Sequence, residues 1–323
     1  MNASVIGIGK LGLCFALTLE KNGYNVVGVD ISQEYVDLVN EKTFKSSEPD
    51  VESRLKASKN FFATTSLDTA VKYANILFVV VATPSLHNGR YDHSQVDSLI
   101  DHLETLGPQT AKKNFVVCCT TMPGYCDSIK ERLNNLNYTV SYNPEFIAQG
   151  TILKNQAYPD MILIGEGSQE AGDTIQAIYE KHTLNEPRIC RMTPTEAEIT
   201  KISLNCFLTT KIAYANMIGD IVISAGGDPK TVLSAIGEDS RIGLKYLGYG
   251  YGYGGPCFPR DNRALAIYAR DLGIDALISI ASDESNADHL DYQVKQFIEN
   301  NDKEKEIVFD YVTYKPESTL LVE

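Results

Sequence analysis

The feature that most constrains this chain is the stretch SVIGIGKLG at residues 4–12. Gly7, Gly9 and Gly12 form the pattern G-x-G-x-x-G directly after a short apolar strand. The first glycine permits a tight turn, the second lets the backbone approach a pyrophosphate, and the third lets helix and strand pack closely. The following helix N-terminus offers N–H groups to phosphates. The pattern predicts a dinucleotide-binding unit.

An acidic residue at the end of the second predicted strand indicates whether the dinucleotide is NAD or NADP. The strand YNVVGVD ends at Asp30, which follows Gly12 at roughly the spacing of 20 residues expected for the ribose ligand. A carboxylate there binds ribose hydroxyls and repels a 2′-phosphate, and the residues after it, ISQE, supply no arginine. We therefore expect NAD rather than NADP.

Four further apolar runs predict the rest of a sheet. They are NILFVVVATP, NFVVCCTTMP, YTVSYNPEF and DMILIGEG. Near-continuous apolar strands that alternate with helices indicate a doubly wound parallel α/β sheet, and ligands bind beyond the carboxyl ends of such strands. Thr83, Thr121 and Glu145 follow strands and are site candidates, although turns and helix caps use the same residue types.

The second half begins with a predicted long helix. Thr193 and Glu196 form a capping box around Pro194, and the helical pattern runs about 30 residues, to Gly226. The helix is apolar on more than one face, which predicts burial between domains or against a second subunit. Lys201 and Asn205 share one face of this helix. The lysine either covers apolar surface with its stem or is a cation held in a site.

A single cysteine ends the run YLGYGYGYGGPC, immediately before a predicted helix. Helix N-termini and cations lower the pKa of a thiol, and Arg260 is close to Cys257 in sequence, while the fold could bring Lys201 near it. Composition alone slightly favours a structural cysteine over an activated one. A simple capping role for Asp261 in the first turn also stays open.

Composition and net charge limit the kinds of partner and the cellular location that we expect for the chain. The chain has 323 residues and a net charge of −13, which disfavours nucleic acid and acidic lipid as partners. Seven scattered cysteines without metal-ligand spacing predict free thiols, no metal and a cytoplasmic location. The longest apolar run, ILFVVVA at 76–82, is too short to cross a membrane, and we expect no membrane segment or signal peptide.

Together these motifs resemble one family, the nucleotide-sugar 6-dehydrogenases. The matching stretches, in the family's order, are GIGKLG…VD, ATPSLHNGRYD, CTTMPG, YNPEFIAQGTI…PDMILIG, AEITKISLNCFLTTKIAYANMI, EDSRIG and GYGGPCFPRD. They cover essentially the whole chain, and EDSRIG points most toward the UDP-glucose branch.

The resemblance implies a four-electron oxidation of a primary alcohol to a carboxylate, with two NAD molecules used in succession. Cys257 would form a thiohemiacetal with the C6 aldehyde and then a thioester, which water cleaves. Lys201 and Asn205 would stabilise the oxyanion, and Asp261 would hold or deprotonate the catalytic water and the lysine. Thr121 and Glu145 would position water, with Glu145 a candidate general base.

The resemblance also implies the binding residues and a homodimer formed through the long helix. For NAD they are Gly7, Gly9, Gly12, Asp30, Thr83, Thr121 and Arg260. For the nucleotide sugar they are Glu145, Phe146, Lys201, Asn205, Arg241, Tyr246, Tyr249 and Gly254. Three positions depart from the family pattern: Gln149 replaces a second glutamate, Tyr35 replaces a lysine that commonly follows the acidic ribose ligand, and Pro256 replaces a frequent serine.

The predicted organisation is a Rossmann-like NAD-binding domain over 1–192, a helical central domain over 193–300, and the start of a third, nucleotide-sugar-binding domain of Rossmann-like fold over 301–323. Alternative substrates are GDP-mannose and UDP-N-acetylhexosamines. Two other classes stay open: a simple β-hydroxyacid dehydrogenase, against which the cysteine motif argues, and a catalytically impaired NAD-binding remnant.

Overall fold

The computed structural model describes residues 1–147, 150–302 and 304–308. They form two compact units, the first from 1–84 with 91–199 and the second from 85–90 with residues from 200 onward. The observed boundary falls inside the long helix, a few residues beyond the predicted one at 192. Most of the predicted third segment, residues 303 and 309–323, lies outside the described residues.

The first unit is built on one eight-stranded sheet in the order β3-β2-β1-β4-β5-β6-β7-β8. Its strands are β1 Asn2–Ile6, β2 Asn25–Val29, β3 Phe61–Thr64, β4 Ile76–Val79, β5 Lys113–Val117, β6 Tyr138–Tyr142, β7 Met161–Gly165 and β8 Arg188–Met192. Helices cover both faces of the sheet through two apolar clusters. The predicted doubly wound α/β fold is confirmed, and β3 and β8 are strands that the sequence patterns did not single out.

The helices of the first unit alternate with its strands. They are α1 Lys10–Lys21, α2 Gln33–Asn40, α3 Val51–Ala57, α4 Leu67–Tyr73, α5 Ser94–Leu106, α6 Tyr125–Asn135, α7 Ile152–Ala157 and α8 Gln169–His182. The remaining helices are α9 Pro194–Ser224, which contains the unit boundary, α10 Pro229–Gly237, α11 Phe258–Asp271 and α12 Leu277–Asn300.

One strand pair departs from the predicted parallel sheet. β7 pairs antiparallel with β6 through Tyr142 and Gly165, whereas the other neighbouring pairs are parallel. In the described part of the connection from β6 to β7, which leaves out residues 148 and 149, the one helix is the six-residue α7. A parallel neighbour needs a full crossover helix, whereas an antiparallel neighbour can be reached by a return on the same edge.

Local sequence signals set the helix ends as predicted. Glu196 Oε2 accepts hydrogen bonds from the Thr193 N–H at 2.8 Å and the Thr193 hydroxyl at 2.7 Å, so the capping box forms. Cys257 is the N-cap of α11, and Gly273 follows that helix with φ of 74°. This positive φ suits glycine and ends the helix.

Length and composition make α9 capable of crossing a membrane, although a third of its most apolar window is buried within the protein. The expectation of no membrane segment rests on the apolar run at 76–82 alone and does not take the length and composition of α9 into account. Core helices of soluble proteins meet the same criteria.

Candidate active site

The glycine-rich turn between β1 and α1 is shaped by backbone contacts. A Cβ on Gly12 would lie 1.9 Å from the Gly7 carbonyl oxygen, and one on Gly7 would lie 2.6 Å from that of Val80. Gly7 also has φ of 88°. A Cβ on Gly9, by contrast, would meet no atom within 4 Å. Gly7 and Gly12 are therefore required by packing, whereas Gly9 borders open space.

That open space is a cleft of about 830 Å³ at the carboxyl ends of β1, β2 and β4. Asp30, at the end of β2, lines it together with the three glycines. The N-cap of α1 is Gly9, and no side chain caps this helix in the continuous range 1–147. Open backbone at a helix start with a carboxylate on the next strand matches what a dinucleotide requires, so these residues fit NAD.

Tyr35 has a role that the sequence did not indicate. Its hydroxyl donates a hydrogen bond of 2.7 Å to the Ile8 carbonyl, inside the glycine-rich turn. Its ring packs edge-on against Phe44, with 4.9 Å between centroids. Tyr35 thus supports the glycine-rich turn through its hydrogen bond to Ile8.

The two threonines predicted at the strand ends are both engaged by protein groups. Thr83 donates its hydroxyl to the Thr120 carbonyl at 2.7 Å. Thr121 is fully buried and donates to Glu198 Oε1 at 2.8 Å. Their predicted contacts with NAD and water stay predictions.

Glu198, on α9, is a buried carboxylate that sequence reasoning missed. It accepts hydrogen bonds from the Gly124 N–H at 2.6 Å and the Cys126 N–H at 3.0 Å, at the start of α6. Burial raises the pKa of Glu198 despite these donors. The carboxylate from α9 therefore caps α6 and fixes Thr121 at the same time.

Glu145 and Phe146 follow β6, as predicted, and both are half-buried. Glu145 lies near Cys118: burial first, and then the charge of Glu145, raises the pKa of that thiol well above its ordinary value. Phe146 packs against the apolar cluster of the sheet. Gln149 lies outside the described residues.

In the second unit, four predicted catalytic residues come together at the start of α11. Asp261 is buried, and one of its oxygens accepts a hydrogen bond of 2.7 Å from the Asn205 side-chain amide. Arg260 Nε lies 3.5 Å from the other oxygen. Lys201 is buried on α9, and its charge acts on the Cys257 thiol. Residues 56 positions apart are thus joined by one hydrogen bond.

The expected lowering of the Cys257 pKa is wrong for the free protein. Although Cys257 is exposed, neighbouring protein desolvates its thiol, and this effect, followed by the charge of Asp261, raises the pKa above its ordinary value. Arg260 and Lys201 lower it by less. The sequence placed Asp261 in the same first turn but could not show that this carboxylate is buried and that the thiol is desolvated beside it.

Polar residues on α9 form a stripe that extends beyond the predicted pair. Its members in chain order are Glu198, Lys201, Asn205, Thr209, Asn216 and Asp220. Thr209 bonds Asn262 of α11, and Asp220 bonds His289 of α12. A spacing of three or four residues, or of seven across two turns, places all six on one face. This spacing is the sequence signal that identifies the residues missed.

The predicted sugar-binding residues lie in different surroundings. Tyr249 packs its ring over Gly219 of α9 and donates its hydroxyl to Asp220 Oδ1 at 2.9 Å. Tyr246 is exposed, with φ of 61°. The Arg241 side chain is 86% exposed and paired with Asp239. Gly254 is half-buried, three residues before the thiol.

Fold and site together define a dinucleotide-binding α/β protein with a helical second unit that presents a thiol. The chain belongs to the UDP-glucose/GDP-mannose dehydrogenase family: residues 1–183 match its NAD binding domain and residues 195–288 its central domain. These are NAD-dependent nucleotide-sugar dehydrogenases, so the predicted family and the NAD cofactor are confirmed.

Individual relatives carry two substrate names. The chain is 33% identical over 300 residues to a UDP-glucose 6-dehydrogenase of Pseudomonas aeruginosa, covering 89% of this chain and 65% of that protein. It is 31% identical over 290 residues to a GDP-mannose 6-dehydrogenase of Pseudomonas syringae, covering 85% and 66%. The chain therefore spans about two thirds of the length of these relatives.

A solved structure shows the same fold. A UDP-glucose dehydrogenase from Pyrobaculum islandicum superposes with a TM-score of 0.84 at 29% identity, over 92% of this chain and 70% of that one.

Proposed function

We propose that this chain carries the catalytic machinery for the NAD-dependent oxidation of the C6 primary alcohol of a nucleotide sugar to a carboxylate, with UDP-glucose as the substrate. The observation that carries the proposal is the arrangement around Cys257. It is the one exposed cysteine of seven, it forms the N-cap of α11, and Lys201, Asn205 and Asp261 lie at the same helix start.

NAD, when bound at the glycine-rich turn, accepts a hydride in each of the two oxidation steps. Asp30 holds the ribose hydroxyls, and the open backbone at Gly9 receives the pyrophosphate. Thr83, Thr121 and Arg260 are the further NAD-binding residues in this proposal.

Cys257 provides the covalent step. Its sulfur bonds to the aldehyde carbon, and the thiol proton passes to the aldehyde oxygen, which gives a thiohemiacetal. After the second hydride and a proton leave, a thioester remains. Water then cleaves the carbon–sulfur bond and returns the proton to the thiol. Lys201 and Asn205 stabilise negative charge on the sugar oxygen.

Three further residues have supporting acid–base roles in this proposal: Asp261, Glu145 and Thr121. Asp261, which accepts from Asn205, orients the amide and balances the charge of Lys201. Glu145 and Thr121 of the first unit position the hydrolytic water, with Glu145 as its base. Burial raises the pKa of Cys257, which agrees with a covalent step in which the sulfur gives up its proton to the aldehyde oxygen.

We propose UDP-glucose rather than GDP-mannose as the substrate because the motif EDSRIG points most toward the UDP-glucose branch of the family. Arg241 of that motif is exposed and available to a ligand, with Asp239 as its partner in the free protein. Phe146, Tyr246, Tyr249 and Gly254 complete the proposed sugar-nucleotide contacts.

The test is the stoichiometry of NADH. The protein is incubated with NAD and, in separate reactions, UDP-glucose, GDP-mannose and UDP-N-acetylhexosamines. Two NADH per UDP-glucose is the expected result, one would indicate a simple alcohol dehydrogenase, and none would indicate a binding protein. Cys257→Ser should abolish acid formation, whereas the half-buried Cys190→Ser should not.

We also propose a cytoplasmic homodimer. Free thiols suit a reducing compartment. On α9 the exposed apolar residues Phe207, Tyr214, Met217 and Ile221 form a stripe, about half a turn from the polar stripe by the 3.6-residue period. Phe207→Glu with Tyr214→Glu should yield a monomer in sedimentation. A monomeric unmodified chain at high micromolar concentration would contradict the dimer.

A further inference from the structure

The tyrosine- and glycine-rich stretch at residues 246–256, here called the Tyr/Gly segment, is held by side chains of two helices. Asn216 of α9 accepts from the Gly250 N–H at 3.1 Å and donates to the Tyr251 carbonyl at 3.2 Å. Asn286 of α12 bonds both the N–H and the carbonyl of residue 253, at 2.8 and 3.0 Å. These bonds reach the backbone, so they fix the path of the segment.

His289 of α12 adds a contact that requires a charge. Its ring is buried, with Nε2 2.7 Å from the Gly250 carbonyl oxygen and Nδ1 2.8 Å from Asp220 Oδ2. Asp220 already accepts from the Tyr249 hydroxyl through its other oxygen. Carbonyl and carboxylate oxygens only accept, so both ring nitrogens must carry a proton. A neutral imidazole has one such proton and an imidazolium has two.

We propose that His289, paired with Asp220, is a positioning residue that holds the Gly250 carbonyl and thereby the path of the Tyr/Gly segment to Cys257. The link to catalysis rests on the proposed function of Cys257. The hold on the segment does not.

The groups around the ring support this role. The ionisable groups that face the ring within the described residues are Asp220 from α9, Tyr249 from the segment, and Tyr292 of α12, whose hydroxyl lies 3.4 Å from the Asp220 carbonyl oxygen. Gln293 gives the Gly250 carbonyl a second, neutral donor at 3.0 Å. A ring nitrogen without a proton would set a lone pair against an oxygen, so the hold needs both ring protons.

Hydrogen exchange measured by mass spectrometry tests the hold without substrate. Exchange in peptides covering 246–256 is followed at one pH and corrected for intrinsic exchange, in the unmodified chain, His289→Gln and His289→Leu. His289→Leu should lose about tenfold or more of the protection, the size expected for a hydrogen bond from a charged donor. His289→Gln, which keeps one neutral donor, should lose less.

His102→Gln is the matched control, because His102 pairs with Asp68 in the first unit. Unchanged protection in His289→Leu would overturn the proposal. Nitrogen NMR of the unmodified, histidine-labelled chain is an independent measurement that needs no folded variant. Two protonated ring nitrogens on His289 are expected from its two oxygen partners, and an unprotonated one would refute the charged pair with Asp220.

Activity separates this inference from the proposed function. If exchange and NMR agree with the expectation but no nucleotide sugar is oxidised, the proposed function fails and the hold on the segment stands. If the chain is active, His289→Leu should lower kcat, His289→Gln should restore part of the lost kcat, and the KM for NAD should not change. A kcat for His289→Leu equal to that of the unmodified chain would remove the positioning role.

Discussion

The candidate sites of the two units are formed by different parts of the chain. In the first unit, the glycine-rich turn between β1 and α1, here called the NAD cradle, is shaped by backbone: Gly7 and Gly12 are fixed by contacts with main-chain oxygens, and Gly9 borders the cleft. In the second, the catalytic group is made of side chains that meet across helices, as Asn205 and Asp261 do. We therefore expect the first site to be sensitive to added volume, and the second to changes of charge and hydrogen bonding.

The largest effect is expected in the cradle. Gly12→Ala places a Cβ 1.9 Å from a backbone oxygen, so the turn must open, and NAD affinity should fall more than about 100-fold. Gly9→Ala is the control, because its Cβ has room in the free protein. It should keep its circular dichroism and weaken NAD binding less. Calorimetric titration with NAD measures both, and equal affinities of Gly12→Ala and the unmodified chain would contradict a cradle made of backbone.

The next effect concerns acid stability of the first unit. Burial lowers the pKa of His182 to about 4, from about 6.5 when unfolded. The folded state then binds fewer protons, so stability is fully present above pH 6.5 and falls by about 2–3 kcal/mol as pH drops toward 4. His182→Leu should reduce this slope in urea unfolding curves. The exposed His102→Gln should retain it, and equal slopes in all three proteins would contradict the prediction.

A charge change in the second unit should have a smaller effect. Asp261→Asn removes a cause of the raised Cys257 pKa while preserving shape, so iodoacetamide should modify Cys257 up to about tenfold faster at pH 7.5. Lys201→Met should slow the reaction. Peptide mass spectrometry measures the rates, with the exposed Asp291→Asn as control. If Asp261→Asn slows alkylation, the charge account of this site is wrong.

The smallest effect is a gain in stability. Asp50 precedes α3 with φ of 64°, and its side chain makes no capping hydrogen bond. Asp50→Gly should raise the free energy of unfolding by about 0.5–1 kcal/mol. Asn137 also has a positive φ, but its side chain donates to the Gln109 carbonyl, so Asn137→Gly should gain less. Thermal unfolding compares the two, and a loss of stability in Asp50→Gly would count against backbone strain there.

Sequence alone predicted the features that depend on neighbours in the chain. The glycines and Asp30 lie within one strand–helix–strand unit, and the capping box of Thr193 and Glu196 spans four residues. Such patterns encode their geometry locally. The start of α11 at Cys257 was predictable for the same reason.

The features that sequence did not predict depend on distant partners. Glu198 caps a helix more than 70 residues earlier in the chain, and His289 meets an aspartate 69 residues away. Burial is the largest cause of the raised pKa of Cys257, ahead of the charge of Asp261, and burial is set by the tertiary structure. The antiparallel β7 is likewise set by pairing with β6 rather than by its own apolar pattern.

Helix α9 makes many of these long-range contacts, and the direction in which each of its side chains points is fixed by the position of that residue along the helix. Each residue added to an α-helix advances the following side chains by about 100° and 1.5 Å. One residue inserted between Asn205 and Asn216 would therefore turn Asn216 and Asp220 away from the Tyr/Gly segment, while every residue kept its identity. We therefore expect a one-residue insertion or deletion within α9 to be less tolerated than substitutions at its exposed positions.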